Sequence, residues 1–201
     1  MSYMDELIIR MFKAGCIKIG DFKLTSGSRS PIYIDLRILP SHPKLFSDLI
    51  KKSVEIVRDK RFDLLCGVET GGIPIATALL FHLEKPMIYV RKNVKKHGLE
   101  KSVEGVYRSG ESVLLIDDVA TTGHSLGRAA KTLRENGLLV EEAFVIVDRG
   151  QGAGKHLRDM GVNLSCFTNL QEVLEVLRDR EFISEDVYRS LTLYVEGSRS
   201  V

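Results

Sequence analysis

A chain of 201 residues, 44% of them hydrophobic, is long enough to bury a full core, and no run approaches the roughly 18 apolar residues of a membrane span. Its 29 Lys and Arg stand against 27 Asp and Glu, and a net charge of +2 gives no whole-molecule argument for nucleic acid, so any anion site must be local. Cys16, Cys66 and Cys166 are odd in number and far apart with no CxxC pair, which argues against a disulfide framework or zinc site and for reduced thiols in the cytoplasm. From the N-terminus, residues 1–10 are polar and mixed in charge, without the apolar stretch or cleavage site of a secretory signal. Residues 22–37 hold a Ser/Gly turn and then alternate Ile32, Tyr33 and Ile34, which reads as a hairpin exposing N–H and hydroxyl groups. Residues 1–40 as a whole fit no βα unit and are expected to form a flap.

Beyond that point, strand-like and helix-like runs alternate. Phe46, Ile50, Val54 and Val57 mark a helix after Ser41-His42-Pro43, and a strand is expected over 62–68. Glu69-Thr70-Gly71-Gly72 turns into a second helix, with Pro74 near its first turn, where a missing N–H is harmless. Further strands are expected over 86–90, 113–116, 143–147 and 162–167, and Leu170, Val173, Leu174 and Leu177 form a closing helical stripe. This is the pattern of stacked βαβ units in one domain over 1–201, with a mainly parallel five-stranded sheet flanked by helices.

The segment Val113-Leu114-Leu115-Ile116-Asp117-Asp118-Val119-Ala120-Thr121-Thr122-Gly123-His124-Ser125 carries the most chemistry. Its four aliphatic residues read as a strand buried on both faces, and ligands of open α/β sheets bind in the crevice past the carboxyl ends of such strands. Leu126, Ala129, Ala130 and Leu133 follow at helical spacing, and Ser125 falls where the first N–H groups of that helix need an acceptor. Such a loop can hold a phosphate through backbone N–H groups and the helix dipole. The two aspartates would repel a phosphate, so their natural partners are sugar hydroxyls, a metal ion or a developing positive charge. Taken alone, they are also compatible with two solvated acids before a threonine turn.

The connection from Arg91 to Gly105 exceeds a usual βα loop and begins Arg91-Lys92-Asn93-Val94-Lys95-Lys96-His97-Gly98. Its cations would repel one another until a polyanion arrives, which suits a lid, although a solvated lysine-rich loop or a weak nucleic-acid patch has the same composition. Arg149, after the strand over 143–147, reads by itself as a surface arginine.

Taken together these segments resemble known sequences. The pattern over 113–125 resembles the phosphoribosyl-diphosphate loop of the type I phosphoribosyltransferases, and Arg-Lys-x-x-Lys-x-His-Gly is similar to the mobile loop of one branch, the orotate phosphoribosyltransferases. Ser26-Gly27 followed by Ser30-Pro31, and Val147-Asp148-Arg149, are similar to two more motifs of that branch, so the resemblance spans essentially the whole chain. It implies a type I phosphoribosyltransferase fold with a small hood made of residues 1–40 and part of the C-terminus. It implies transfer of ribosyl 5-phosphate from phosphoribosyl diphosphate to N1 of orotate, giving orotidine 5-monophosphate and diphosphate in pyrimidine synthesis. By the same resemblance Asp117 and Asp118 hold the ribose hydroxyls and face the reacting carbon, while Val119, Ala120, Thr121, Thr122, Gly123, His124 and Ser125 wrap the 5-phosphate. Arg91, Lys92, Lys95 and His97 face the diphosphate, and Thr121, Arg149, Tyr33 and Ile34 meet orotate. Mg²⁺ is the implied cofactor, held mainly by substrate with no direct protein ligand.

The resemblance further implies a homodimer in which the 91–105 loop reaches the neighbouring site, with neither nucleic acid nor membrane as partner. Some relatives carry lysine where Thr25 and Gly71 stand, and both cations are missing here. Two other readings share the Asp117-Asp118 loop: a phosphoribosyltransferase for another base, and a phosphoribosyl-diphosphate-sensing regulator, which needs an added DNA-binding segment where only about twenty residues precede Asp21.

Overall fold

The computed structural model describes residues 2–23, 27, 29–92 and 102–197. Helix α1 (Tyr3–Lys13), strands β1 (Ile17–Lys23) and β2 (Arg29–Ile34) and a 3-10 turn (Leu36–Ser41) precede the alternating part of the chain. There α2 (Pro43–Val57), β3 (Leu64–Val68), α3 (Gly72–Leu83), β4 (Met87–Val90) and β5 (Val103–Glu104) lead to β6 (Ser112–Ala120). The chain continues through α4 (His124–Glu135), β7 (Leu139–Asp148), α5 (Ala153–Asp159), β8 (Asn163–Asn169), α6 (Leu170–Asp179) and α7 (Glu185–Gly197).

The main sheet has the order β5-β4-β3-β6-β7-β8, while β1 and β2 form a separate antiparallel hairpin. The expected five strands are all present and parallel to their neighbours. A sixth is added, because Val103 and Glu104 pair antiparallel with Val90 and Tyr89. Two residues are too few to show an alternation, which is why the sequence reads as loop through Gly105.

Side chains alternate across the sheet as the strand period requires. Leu65, Leu114, Ile116, Phe144 and Ile146 face a layer built from α1, α2, α3, α6 and α7. Leu64, Cys66, Leu115, Ala143 and Val145 face α4 and α5. Both faces being covered explains the continuous apolar runs. The stripe Leu170, Val173, Leu174 and Leu177 is fully buried, and α6 starts at a reciprocal cap between Asn169 and Glu172. From the first 40 residues, Leu7, Ile8, Met11, Ile17, Ile32 and Leu36 join the same buried cluster as Leu65 and Ile116.

Two expectations shift at the end of β6. That strand runs through Ala120, so Asp117 and Asp118 lie inside it, with Asp117 opposite Val145 and Val119 opposite Val147. A parallel ladder is made by backbone groups and tolerates carboxylates wherever one edge of the strand end opens to a crevice, so the end of the apolar run is not the end of the strand. The residue capping α4 is Gly123 at φ 81°, not Ser125, which falls within the first turn.

The start of α3 lies close against β3 and β6. A Cβ on Gly67 would come within 2.9 Å of the Ile73 Cα, and one on Gly72 would overlap the Ile116 carbonyl oxygen. Only glycine permits that approach, and backbone cannot move aside as a side chain can. Gly72→Ala is therefore expected to lower stability by about 1 to 3 kcal/mol. A urea midpoint equal to that of the parent would refute this packing argument.

Candidate active site at the carboxyl edge of the sheet

The carboxyl ends of β3, β4, β6 and β7 converge on one edge. At the end of β6, Asp117 is 8% exposed, and its Oδ1 accepts the Asp118 N–H at 2.9 Å. Asp118 in turn accepts the Val119 N–H at 2.9 Å. Burial first, and then the neighbouring Asp118 charge, hold the Asp117 carboxyl well above the usual carboxylate range; the Lys92 charge pulls the other way. The pair therefore awaits positive charge. Gly71 makes room for it, since a Cβ there would overlap the Asp118 carboxylate. A lysine at that position would need this carboxylate to move.

Beyond the acids, Val119 to Leu126 curl around a crevice of about 120 Å³. The left-handed Gly123 turns the chain so that the first N–H groups of α4 open into it, a ready anion site that Thr121, Thr122 and Ser125 supplement with hydroxyls. The His124 ring meets His156 of α5 edge to face, with centroids 4.8 Å apart. Next to the crevice lies a hollow of about 150 Å³ lined by Val68, Val90, Arg91, Lys92, Ser125 and Arg128 among others. Arg91 is held by Glu104 at 3.0 Å, and the Lys92 N–H donates to Glu69 at 2.7 Å, so two cations from the end of β4 flank the acids and the loop. Lys95 and His97 lie outside the described residues.

Arg149 follows β7 and is only 6% exposed, so it is not the surface arginine its sequence alone suggests. Its N–H donates to the Ala120 carbonyl at 2.9 Å, and its Nη2 donates to Ser30 at 3.4 Å. Burial lowers its pKa from the usual arginine value, and a hydrogen bond to Tyr194 of α7 opposes that shift. Its Nε is buried without a hydrogen-bond partner. Tyr33 lies in β2 with its ring 5.5 Å from Phe22 and its hydroxyl accepting from Arg37 at 3.1 Å. Ile34 packs its side chain against the buried cluster, so that side chain faces the core.

The expected residues Arg91, Lys92, Asp117, Asp118, Thr121 to Ser125 and Arg149 thus share one edge. Glu69, His156 and Tyr194 join them without having been singled out, and Ser30 joins them from the Ser30-Pro31 motif. Glu69 had a signal, an acid just past a buried strand, whereas Tyr194 lies 45 positions after Arg149 on a helix with no motif.

This geometry, a carboxylate pair leading into a phosphate-sized loop, agrees with sequence comparison. Residues 37–173 match the family model described as phosphoribosyl transferase domain. The chain is also 40% identical over 198 residues to the orotate phosphoribosyltransferase of Staphylothermus marinus, covering 98% of this chain and 97% of that one. The chain belongs to the orotate phosphoribosyltransferase family. Among solved structures, the family enzyme from Aeropyrum pernix superposes with a TM-score of 0.78 at 39% identity, covering 89% of this chain and 99% of that chain. Leishmania donovani UMP synthase superposes with a TM-score of 0.88 at 30% identity over 98% of this chain, which spans 43% of that longer protein.

The raised Asp117 pKa has a stability consequence whose sign is fixed. Unfolded, the group titrates near its ordinary value of 3.8; folded, it holds its proton to higher pH, so the native state binds more protons and stability falls as pH rises through that window. Asp117→Asn, which keeps an acceptor for the Asp118 N–H, is expected to raise the urea midpoint relative to the parent at pH 8 and to show little gain at pH 4. A gain independent of pH would show that the carboxylate is not the destabilising group.

Proposed function

We propose that the chain transfers ribosyl 5-phosphate from phosphoribosyl diphosphate to N1 of orotate, releasing diphosphate and forming orotidine 5-monophosphate for pyrimidine synthesis. The observation that carries this reading is the buried Asp117 beside the half-buried Asp118, set against an anion-holding loop at the sheet edge, in a chain so similar to orotate phosphoribosyltransferases. Breaking the C1–O bond leaves positive charge on the ribose and negative charge on the departing diphosphate, so a catalyst must stabilise both signs within a few ångströms. Asp117 and Asp118 take the ribose hydroxyls and face the positive side, which relieves their own repulsion. The N–H groups and hydroxyls from Val119 to Ser125 hold the 5-phosphate. Arg91, Lys92, Lys95 and His97 serve the diphosphate. Thr121, Arg149, the Tyr33 ring and the Ile34 backbone form the base site under a hood made of residues 1–40 and part of the C-terminus.

Among the described residues no group of three or more His, Cys, Asp or Glu stands together to cage a metal. That suits a hard ion held mainly by substrate phosphates and water, with no direct protein ligand. Mg²⁺ bound in this way would neutralise diphosphate charge. The chain's own part is to place Lys92 beside that charge and to keep water from a cationic ribose. No helix among the described residues is long and apolar enough to cross a membrane, and the unbridged Cys16, Cys66 and Cys166 suit a reducing cytoplasm.

We propose further that the enzyme is a C2 homodimer whose 91–105 loop serves the neighbouring site. Helix α3 is apolar nearly all round, and its Phe81 is 76% exposed, which offers such a dimer a surface to bury.

Orotate, phosphoribosyl diphosphate and Mg²⁺ together should give loss of orotate absorbance that stops when the metal is chelated. Turnover of uracil or a purine with none of orotate would refute the assigned base. The shared site has its own test. Co-refolding Lys95→Ala and Asp118→Ala chains in equal amounts makes about half the dimers mixed, each with one intact site, and should restore activity to about a quarter of the parent's. Activity no higher than that of the separate variants would mean that the loop works within its own chain.

A further inference from the structure

Arg149 is held from three directions. Its backbone is tied to Ala120, at the entry to the phosphate loop, by a hydrogen bond of 2.9 Å. Its side chain reaches up to the N-terminal hairpin, where Nη2 donates to the Ser30 hydroxyl at 3.4 Å, and across to α7, where the Tyr194 hydroxyl stands close enough to act on its charge. The Ser30 hydroxyl is itself fully committed. It donates to the Ile32 carbonyl at 2.7 Å and accepts the Ile32 N–H at 3.3 Å, so of its one proton and two lone pairs a single lone pair is left, aimed at the guanidinium. Ser30 is 1% exposed, and Tyr194 packs its ring against the buried cluster, so neither anchor swings freely.

A guanidinium has five N–H donors in a fixed plane, and pinning two of its contacts fixes where the others point. The Nε of Arg149 is left buried and without a partner. A buried unpaired donor on a cation is costly, a cost the fold carries in holding the guanidinium at this place. We propose that Ser30 and Tyr194 are positioning residues that hold Arg149 for the anionic pyrimidine, so that selection of the base depends on the hairpin and on α7 as well as on the sheet. The proposal rests on the orotate reading given above. It makes the C-terminal helix part of substrate recognition, although that helix carries no motif of its own. A site built to pair a carboxylate through a preset arginine discriminates strongly against a ring that lacks the carboxylate.

The test uses the full chain and compares Tyr194→Phe, Ser30→Ala and Arg149→Gln, together with the Tyr194→Phe/Arg149→Gln double variant. Tyr194→Phe removes one hydroxyl and keeps the ring. Each anchor variant is expected to raise the KM for orotate by about 10-fold, the size of one lost hydrogen bond to a charged group, while the KM for phosphoribosyl diphosphate stays within about twofold. In the Arg149→Gln background, Tyr194→Phe is expected to change the orotate KM no further, because the anchor then has nothing to hold. A purely structural role would instead lower the melting temperature and raise both KM values together, and that result overturns the proposal. So does an unchanged orotate KM in both anchor variants when Arg149→Gln raises it, a pattern that leaves the orotate reading intact. An Arg149→Gln enzyme with the parent's orotate KM removes Arg149 from the base site, and the bracing falls with it.

Discussion

Asp117 and Asp118 leave the buried sheet side by side, and their mutual repulsion has to be met by groups from separate stretches of chain. The pair gains two backbone N–H groups from its own strand, at 2.9 Å each, and those bonds are available because β6 stays extended through Ala120. It gains space from Gly71, where any side chain would overlap the Asp118 carboxylate. It gains opposite charge from Lys92, whose N–H is held in turn by Glu69. The close approach of α3 to β6 at Gly72 brings the Glu69–Gly72 turn to the acids, so the packing of one helix and the electrostatics of the site are a single arrangement. Burial of Asp117 works against stability at neutral pH, and a folded chain tolerates such a term where function needs it.

The opposite charge, Arg149, sits at the end of the adjacent strand, and its surroundings differ in kind. The acids are served by backbone groups near them in sequence. The arginine is served by side chains from the hairpin and from the last helix. The two charged groups thus share one edge of the sheet, at the ends of adjacent strands.

Much of this was legible in residue order because it is local. Period-2 and period-3.6 patterns follow from backbone geometry, so the five parallel strands and the stripe from Leu170 to Leu177 could be read without tertiary information. The Asp117-Asp118 loop could be read for the same reason, since a strand, two acids, a glycine turn and a helix start are consecutive. Sequence and structure differ where side-chain pattern and backbone pairing part company. The strand outran its apolar run by four residues, from Ile116 to Ala120. The helix took Gly123 as its cap because a positive φ was needed there, and a hydroxyl two positions later could not supply it. The two residues of β5 carry no pattern of their own and are a strand only because Tyr89 and Val90 offer an edge.

By itself the sequence determined the alternation of strands and helices, the family, and the chemistry of the loop that ends β6, because each is written in neighbouring residues. Tertiary structure alone decided that Arg149 is buried, that Ser30 and Tyr194 stand against it, that Gly71 leaves room for the Asp118 carboxylate, and that Asp117 keeps its proton to higher pH. The reason is the range of the interactions. Patterning and turn chemistry act over a few bonds of chain, whereas desolvation and the pairing of Ser30 with Arg149 act through space between segments 119 residues apart, which only the folded packing brings together.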